Sequence, residues 1–197
     1  MNAASFGLVA TLLSTPCFAD WMLQADQSHI YFSSVKKDTV AETHQFKTLQ
    51  GSVAADGKFT VAADLASADT GIAIRNERMA QFLFETTKFT QATAKGSIDL
   101  TAVDKLAPGA SQTLKVPVSF ELHGKTISKE THLTIIKLTN KSVAVVTPSP
   151  IMLNAVDFDL TAGIEKLKEL ATLSSISPMV PVTLDLRFVN QGASKNK

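Results

Sequence analysis

Leu114, Val116, Val118, Phe120 and Leu122 take every second position of one stretch, with Lys115, Pro117, Ser119 and Glu121 between them. After His123-Gly124-Lys125 the alternation resumes, Ile127, Leu133 and Ile135 on one parity and Ser128, Glu130, His132 and Thr134 on the other. A period of two means a strand with one dry and one wet face. Two such runs around a short Gly-containing turn predict an antiparallel hairpin. Its dry face must close a barrel or meet a second sheet. Pro117 disagrees, since proline inside a strand marks an edge or a bulge.

Other segments follow the same period. Strands are expected at 28–35, with Ile30 and Phe32 on one face, at 40–46, at 49–55 and, beyond an Asp56-Gly57 turn, at 59–65. Further strands are expected at 92–100 and 143–146, and Val182, Leu184, Leu186 and Phe188 make a closing one. Gly51, Ala55 and Ala63 share the presumed inner parity of that early hairpin and leave room inside, or fit a barrel's taper. Two segments break the period. Met79, Phe82 and Leu83 sit at i, i+3 and i+4 of a short helix over 72–84, with Arg75, Glu77 and Arg78 pointing elsewhere. A second helix runs from a Thr161 cap to Leu173, burying Ile164, Leu167, Leu170 and Ala171. Eight to ten short strands with two short helices are best accommodated by an all-β, antiparallel up-and-down barrel of about eight strands.

The 197 residues suit one domain with a real core. A net charge of +1 without a basic cluster argues against nucleic acid as a partner. Residues 1–19 carry no charged side chain; an apolar run from Phe6 to Leu13 is broken by Ser14-Thr15-Pro16, and Cys17-Phe18-Ala19 fits a cleavage site. That is the form of a signal peptide cut before Asp20, although no Lys or Arg precedes the apolar run. Cleavage would remove the only cysteine and with it any disulfide or thiolate chemistry. The barrel domain then spans 20–190, followed by a polar tail over 191–197.

Motif chemistry is sparse. No Gly-x-Ser-x-Gly, Gly-rich phosphate loop or His-Glu-x-x-His occurs, so no catalytic residue, metal ligand or cofactor is assigned and the chain is read as a non-enzyme. Glu42 with His44, and Glu130 with His132, would form a metal site only if facing strands brought the two pairs together.

Two stretches carry a family resemblance. Residues 69–93, from Asp69-Thr70-Gly71 through Arg75-Asn76-Glu77-Arg78 and Phe82-Leu83-Phe84 to Phe89 and Thr93, resemble the signature region of the YceI-like family. Phe120-Glu121-Leu122-His123-Gly124-Lys125-Thr126 resembles its strand, Leu-His-Gly turn and returning strand, and the order of elements agrees over nearly the whole mature chain. The resemblance implies a periplasmic, lipocalin-like barrel holding a long isoprenoid or similar amphiphilic lipid, and leaves room for transient membrane contact. The family's Arg-Asp-x-His run is Arg78-Met79-Ala80-Gln81 here, and its Tyr-Pro step is Lys88-Phe89, which implies different contacts to a ligand's head. Phe32, Phe59, Phe82, Phe84, Phe120 and Leu122 are then the residues to line a cavity, or else to fill a solid core. Arg75 and Arg78 either meet a polar head at the mouth or are solvated helix charges. The alternative function is an envelope interaction protein with a filled barrel and no ligand.

Overall fold

A computed structural model of the chain describes residues 21–192. The expected signal peptide and most of the polar tail lie outside those residues.

Twelve antiparallel segments build eight rails. β1 (Trp21–Leu23) and β2 (His29–Lys36) form the first, broken by a 3₁₀ turn; β3 (Val40–Phe46) and β4 (Leu49–Val53) form the second. β5 (Lys58–Asp64) and β6 (Ala68–Asp69) form the third, followed by β7 (Gln91–Ser97), β8 (Ser111–Leu122) and β9 (Lys125–Thr139). β10 (Ser142–Val146) and β11 (Ile151–Asn154), split by Pro148 and Pro150, make the seventh, and β12 (Met179–Asn190) the last. Each rail pairs with the next, and β12 closes the ring on β1 and β2. The fold is a closed eight-stranded antiparallel barrel, without the free edges that invite further pairing.

The β8–β9 hairpin is the longest ladder, pairing Ser111 with Ile136 through to Leu122 with Lys125. Its turn needs two successive left-handed residues, and His123 and Gly124 have φ of 52° and 73°. That is the twist a two-residue hairpin requires. Pro117 falls where it costs least. β7 pairs with β8 only at positions 118–121, so Pro117 is the first residue beyond that ladder and withholds no bond from it.

Several expected boundaries shift. The strand expected over 92–100 ends at Ser97, because Asp99 caps a short helix, α2 (Leu100–Asp104), by accepting from the Thr101 N–H at 2.8 Å. α2 follows α1 (Ala73–Arg78), which runs straight into a π-helical turn, Met79–Leu83. The helix expected from 161 is α3 (Thr161–Leu170); Leu160 occupies its cap position, so Thr161 is helical and caps nothing. β11 is an unexpected strand, because Pro148 and Pro150 immediately before it read as a stop. Ala55 is exposed in the β4–β5 turn, off the inner wall, whereas Val53, Val61 and Ala63 are buried as their parity requires.

The barrel has two unlike ends. At one, Trp21, Val53, Val103 of α2, Ile135, Val143 and Phe188 pack into a floor. Lys137, only 4% exposed, lies beneath it with Nζ 5.6 Å from the Trp21 ring centre, a cation held against an aromatic face. At the other end stand α1, the π turn, α3 and the segment that follows α3. Gly163 of α3 allows close seating on the π turn: a Cβ there would lie 2.6 Å from the Phe82 carbonyl oxygen.

Candidate functional site: an apolar cavity with one polar corner

The barrel is not filled. A cavity of about 570 Å³ runs from the Trp21 floor to the helix-bearing end, within the common range for small-molecule sites. Its wall is built by strand parity: Ile30 and Phe32 from β2, Val61 and Ala63 from β5, Val118 and Phe120 from β8, Leu133 and Ile135 from β9, and Leu184 and Leu186 from β12. Met79 and Leu83 of the π turn and Ile164 and Leu167 of α3 cover the far end.

Phe32, Phe59, Phe84, Phe120 and Leu122 line this cavity, as do Arg75 and Arg78. Phe82 does not. The i, i+3, i+4 reasoning presumed an α-helix, but Phe84 donates its N–H to the Met79 carbonyl at 2.9 Å, a bond across five residues. The wider π turn keeps Met79 and Leu83 on the cavity side and carries Phe82 away. Phe59 also shields Gly96, where an added Cβ would come within 2.6 Å of the phenyl ring. The small inner residue there is covered by an aromatic neighbour and leaves no void.

Polar side chains reach the cavity chiefly in one corner. Ser34 and Lys36 of β2 and Glu42 and His44 of β3 share the inner parity of Phe32 and Phe46. Lys36 Nζ and Arg75 Nη1 both contact Glu42 Oε2, at 2.8 and 2.7 Å. The Lys36 ammonium, with the Arg75 guanidinium, holds the Glu42 carboxyl below its usual range. Arg75 Nη2 also donates to the Thr70 carbonyl at 2.7 Å, and Arg78 Nη1 to the Leu170 carbonyl at 3.1 Å. These arginines are therefore not solvated helix charges: each ties α1 to another part of the mouth. His44 is 4% exposed, with Nε2 2.8 Å from the Ser34 hydroxyl. Burial first, and then the Arg75 cation, lower its pKa, so the ring is neutral at pH 7.

The corner was hard to see from sequence because Glu42 and His44 invite a metal reading. Their one available signal was parity, which places them on the same face as Phe46. The metal arrangement cannot form: β10, β12 and β2 separate β3 from β9. Among the described residues no group of three or more His, Asp or Glu is placed to hold an ion.

The model of the YceI-like domain matches residues 21–188. The chain belongs to the YceI-like family. One solved relative, a polyisoprenoid binding domain from Saccharophagus degradans implicated in plant cell wall breakdown, is 38% identical. It superposes with a TM-score of 0.86 over 88% of this chain and 99% of that one. BcnA of Burkholderia cenocepacia, 19% identical, gives 0.66 over 84% and 98%. The YCEI protein of Campylobacter jejuni, 16% identical, gives 0.50 over 73% and 82%. The last two share the fold. A comparison with curated proteins finds no match.

Proposed function

We propose that this protein is a carrier for a long, slender apolar chain, an isoprenoid or a similar amphiphile, held with its tail toward Trp21 and its head at the polar corner. The observation that carries this reading is the continuous apolar cavity of about 570 Å³. Burying a chain there gains about 25 cal/mol per Å² of surface withdrawn from water, enough to bind without a charged anchor. The 38% identical relative described as a polyisoprenoid binding domain supports the same class of cargo. Binding, rather than turnover, is the function proposed.

The outer surface suits a protein that works in water. Ion pairs Lys115–Glu130 and Lys95–Glu121 decorate the outward faces of β7 to β9, the inverse of a membrane-spanning barrel. Among the described residues no helix is long and apolar enough to cross a membrane. Ile72 and Ile74, 47% and 52% exposed, line the cavity's outer end, giving cargo an apolar path to a lipid surface in transient contact. Secretion to the periplasm, from the signal-like residues 1–19, completes the proposal.

The test is mass spectrometry of an organic extract from protein purified from its native host. A stoichiometric isoprenoid or similar lipid is expected. Protein that is empty, and stays empty when offered polyprenyl lipids, would overturn the carrier reading.

A further inference from the structure

The polar corner also bears on the cargo's head. On the carrier reading, on which this step rests, the geometry points to one chemistry: a carboxylate on a single long apolar chain.

Charge is the first ground. Lys36 and Arg75 share one carboxylate oxygen of Glu42, leaving a positive charge uncompensated there. Arg78 donates to a neutral carbonyl and adds a second. The nearby Asp69 does not offset these, since Lys47 takes it at 2.8 Å. Glu121 points outward on β8, where it pairs with Lys95. An ammonium-type head would meet excess positive charge here, whereas an anion is attracted.

Unused hydrogen-bonding capacity is the second. His44 Nδ1 and Arg75 Nε are buried without a partner, although both side chains line the cavity. An Arg Nε always carries a proton. In the neutral His44 tautomer in which the Ser34 hydroxyl donates to Nε2, Nδ1 carries the ring proton as well, and a carboxylate at Nδ1 selects that tautomer. A buried donor left unsatisfied keeps its desolvation cost until a partner accepts from it. A carboxylate brings one negative charge and two acceptor oxygens for two donors, and charge-assisted bonds of this kind are the strong ones. An alcohol supplies no charge. A diphosphate brings many more oxygens than there are open donors. The other cation at the barrel axis, Lys137, lies under the Trp21 ring and does not line the cavity.

Trp21 is the only tryptophan of the chain and lines the floor, so its fluorescence reports the arrival of a tail. Titrating the purified, delipidated protein at pH 8 with palmitate, hexadecanol and methyl palmitate separates head from tail. Palmitate is expected to bind at least about tenfold more tightly than the alcohol or the ester, as charge-assisted bonds warrant. In Arg75→Gln and, independently, His44→Gln, that ratio is expected to fall to about threefold or less. Equal affinities for acid and alcohol in the wild type, or a ratio that survives in both variants, would overturn the carboxylate assignment and leave the carrier reading standing. If none of the three perturbs Trp21 but a polyprenyl lipid does, the carboxylate assignment fails and the carrier reading stands; if a polyprenyl lipid fails as well, the carrier reading itself fails.

Discussion

Asp69 accepts from the Gly71 N–H at 3.0 Å and from Asn76 Nδ2 at 3.2 Å, and pairs with Lys47. The Lys47 contact, then those two bonds, lower its pKa from 3.8 to about 2. A carboxylate with a lower pKa in the folded state binds fewer protons there than when unfolded. Its stabilisation is therefore complete above the unfolded pKa and is lost as pH falls through about 2. Urea unfolding at stepped pH should show Asp69→Asn less stable than wild type at pH 6, the two curves converging toward pH 2. A difference independent of pH would show that the ionised carboxylate is not what matters. Gly96 gives a steric prediction at the same scale. A Cβ there would meet Phe59 at 2.6 Å and the Pro117 carbonyl oxygen at 2.9 Å. Gly96→Val should cost about 2 kcal/mol by overpacking, measured by urea unfolding, despite the better strand propensity of valine.

Between elements, the contact that shapes the mouth is α3 on the π turn. A glycine inside a helix ordinarily costs about 1 kcal/mol relative to alanine, so replacing Gly163 would stabilise an isolated α3. Here the sign reverses. An added Cβ would sit 2.6 Å from the Phe82 carbonyl oxygen and 2.8 Å from Leu83 Cα, both backbone atoms that cannot swing aside. Gly163→Val should destabilise by about 3 kcal/mol or more, against the propensity trend. Hydrogen exchange should localise the loosening to 79–84 and α3 and spare the β8–β9 ladder. Loosening spread evenly over the barrel would show that the helical cap and the barrel unfold as one unit.

For the whole molecule, the decisive property is an apolar barrel that leaves its axis unfilled. Ala94, opposite Val61 and Phe120, lines the cavity with the smallest side chain its parity could supply. Ala94→Phe should place a ring in that space. Binding of a long-chain ligand, followed through Trp21, should weaken at least about tenfold, while stability changes by less than about 1.5 kcal/mol because the ring enters space rather than packed neighbours. Undiminished binding would show that cargo does not occupy this section of the barrel.

Period-two patterning made the barrel legible in advance. Leu114 to Leu122 and Val182 to Phe188 name their inner faces unaided, because a strand's side-chain direction follows from position alone. His123-Gly124 likewise specifies its turn locally. The same local logic failed at Phe82, where the choice between α and π turns depends on how Met79 and Leu83 reach the cavity under α3. It failed at Arg75 and Arg78, whose partners Glu42 and Leu170 are remote in sequence and meet them only after closure. It could not distinguish a filled core from a hollow one either. Phe32 and Phe120 have the same sequence pattern in both. Whether their rings meet across the axis depends on the barrel's width, set by all eight rails together.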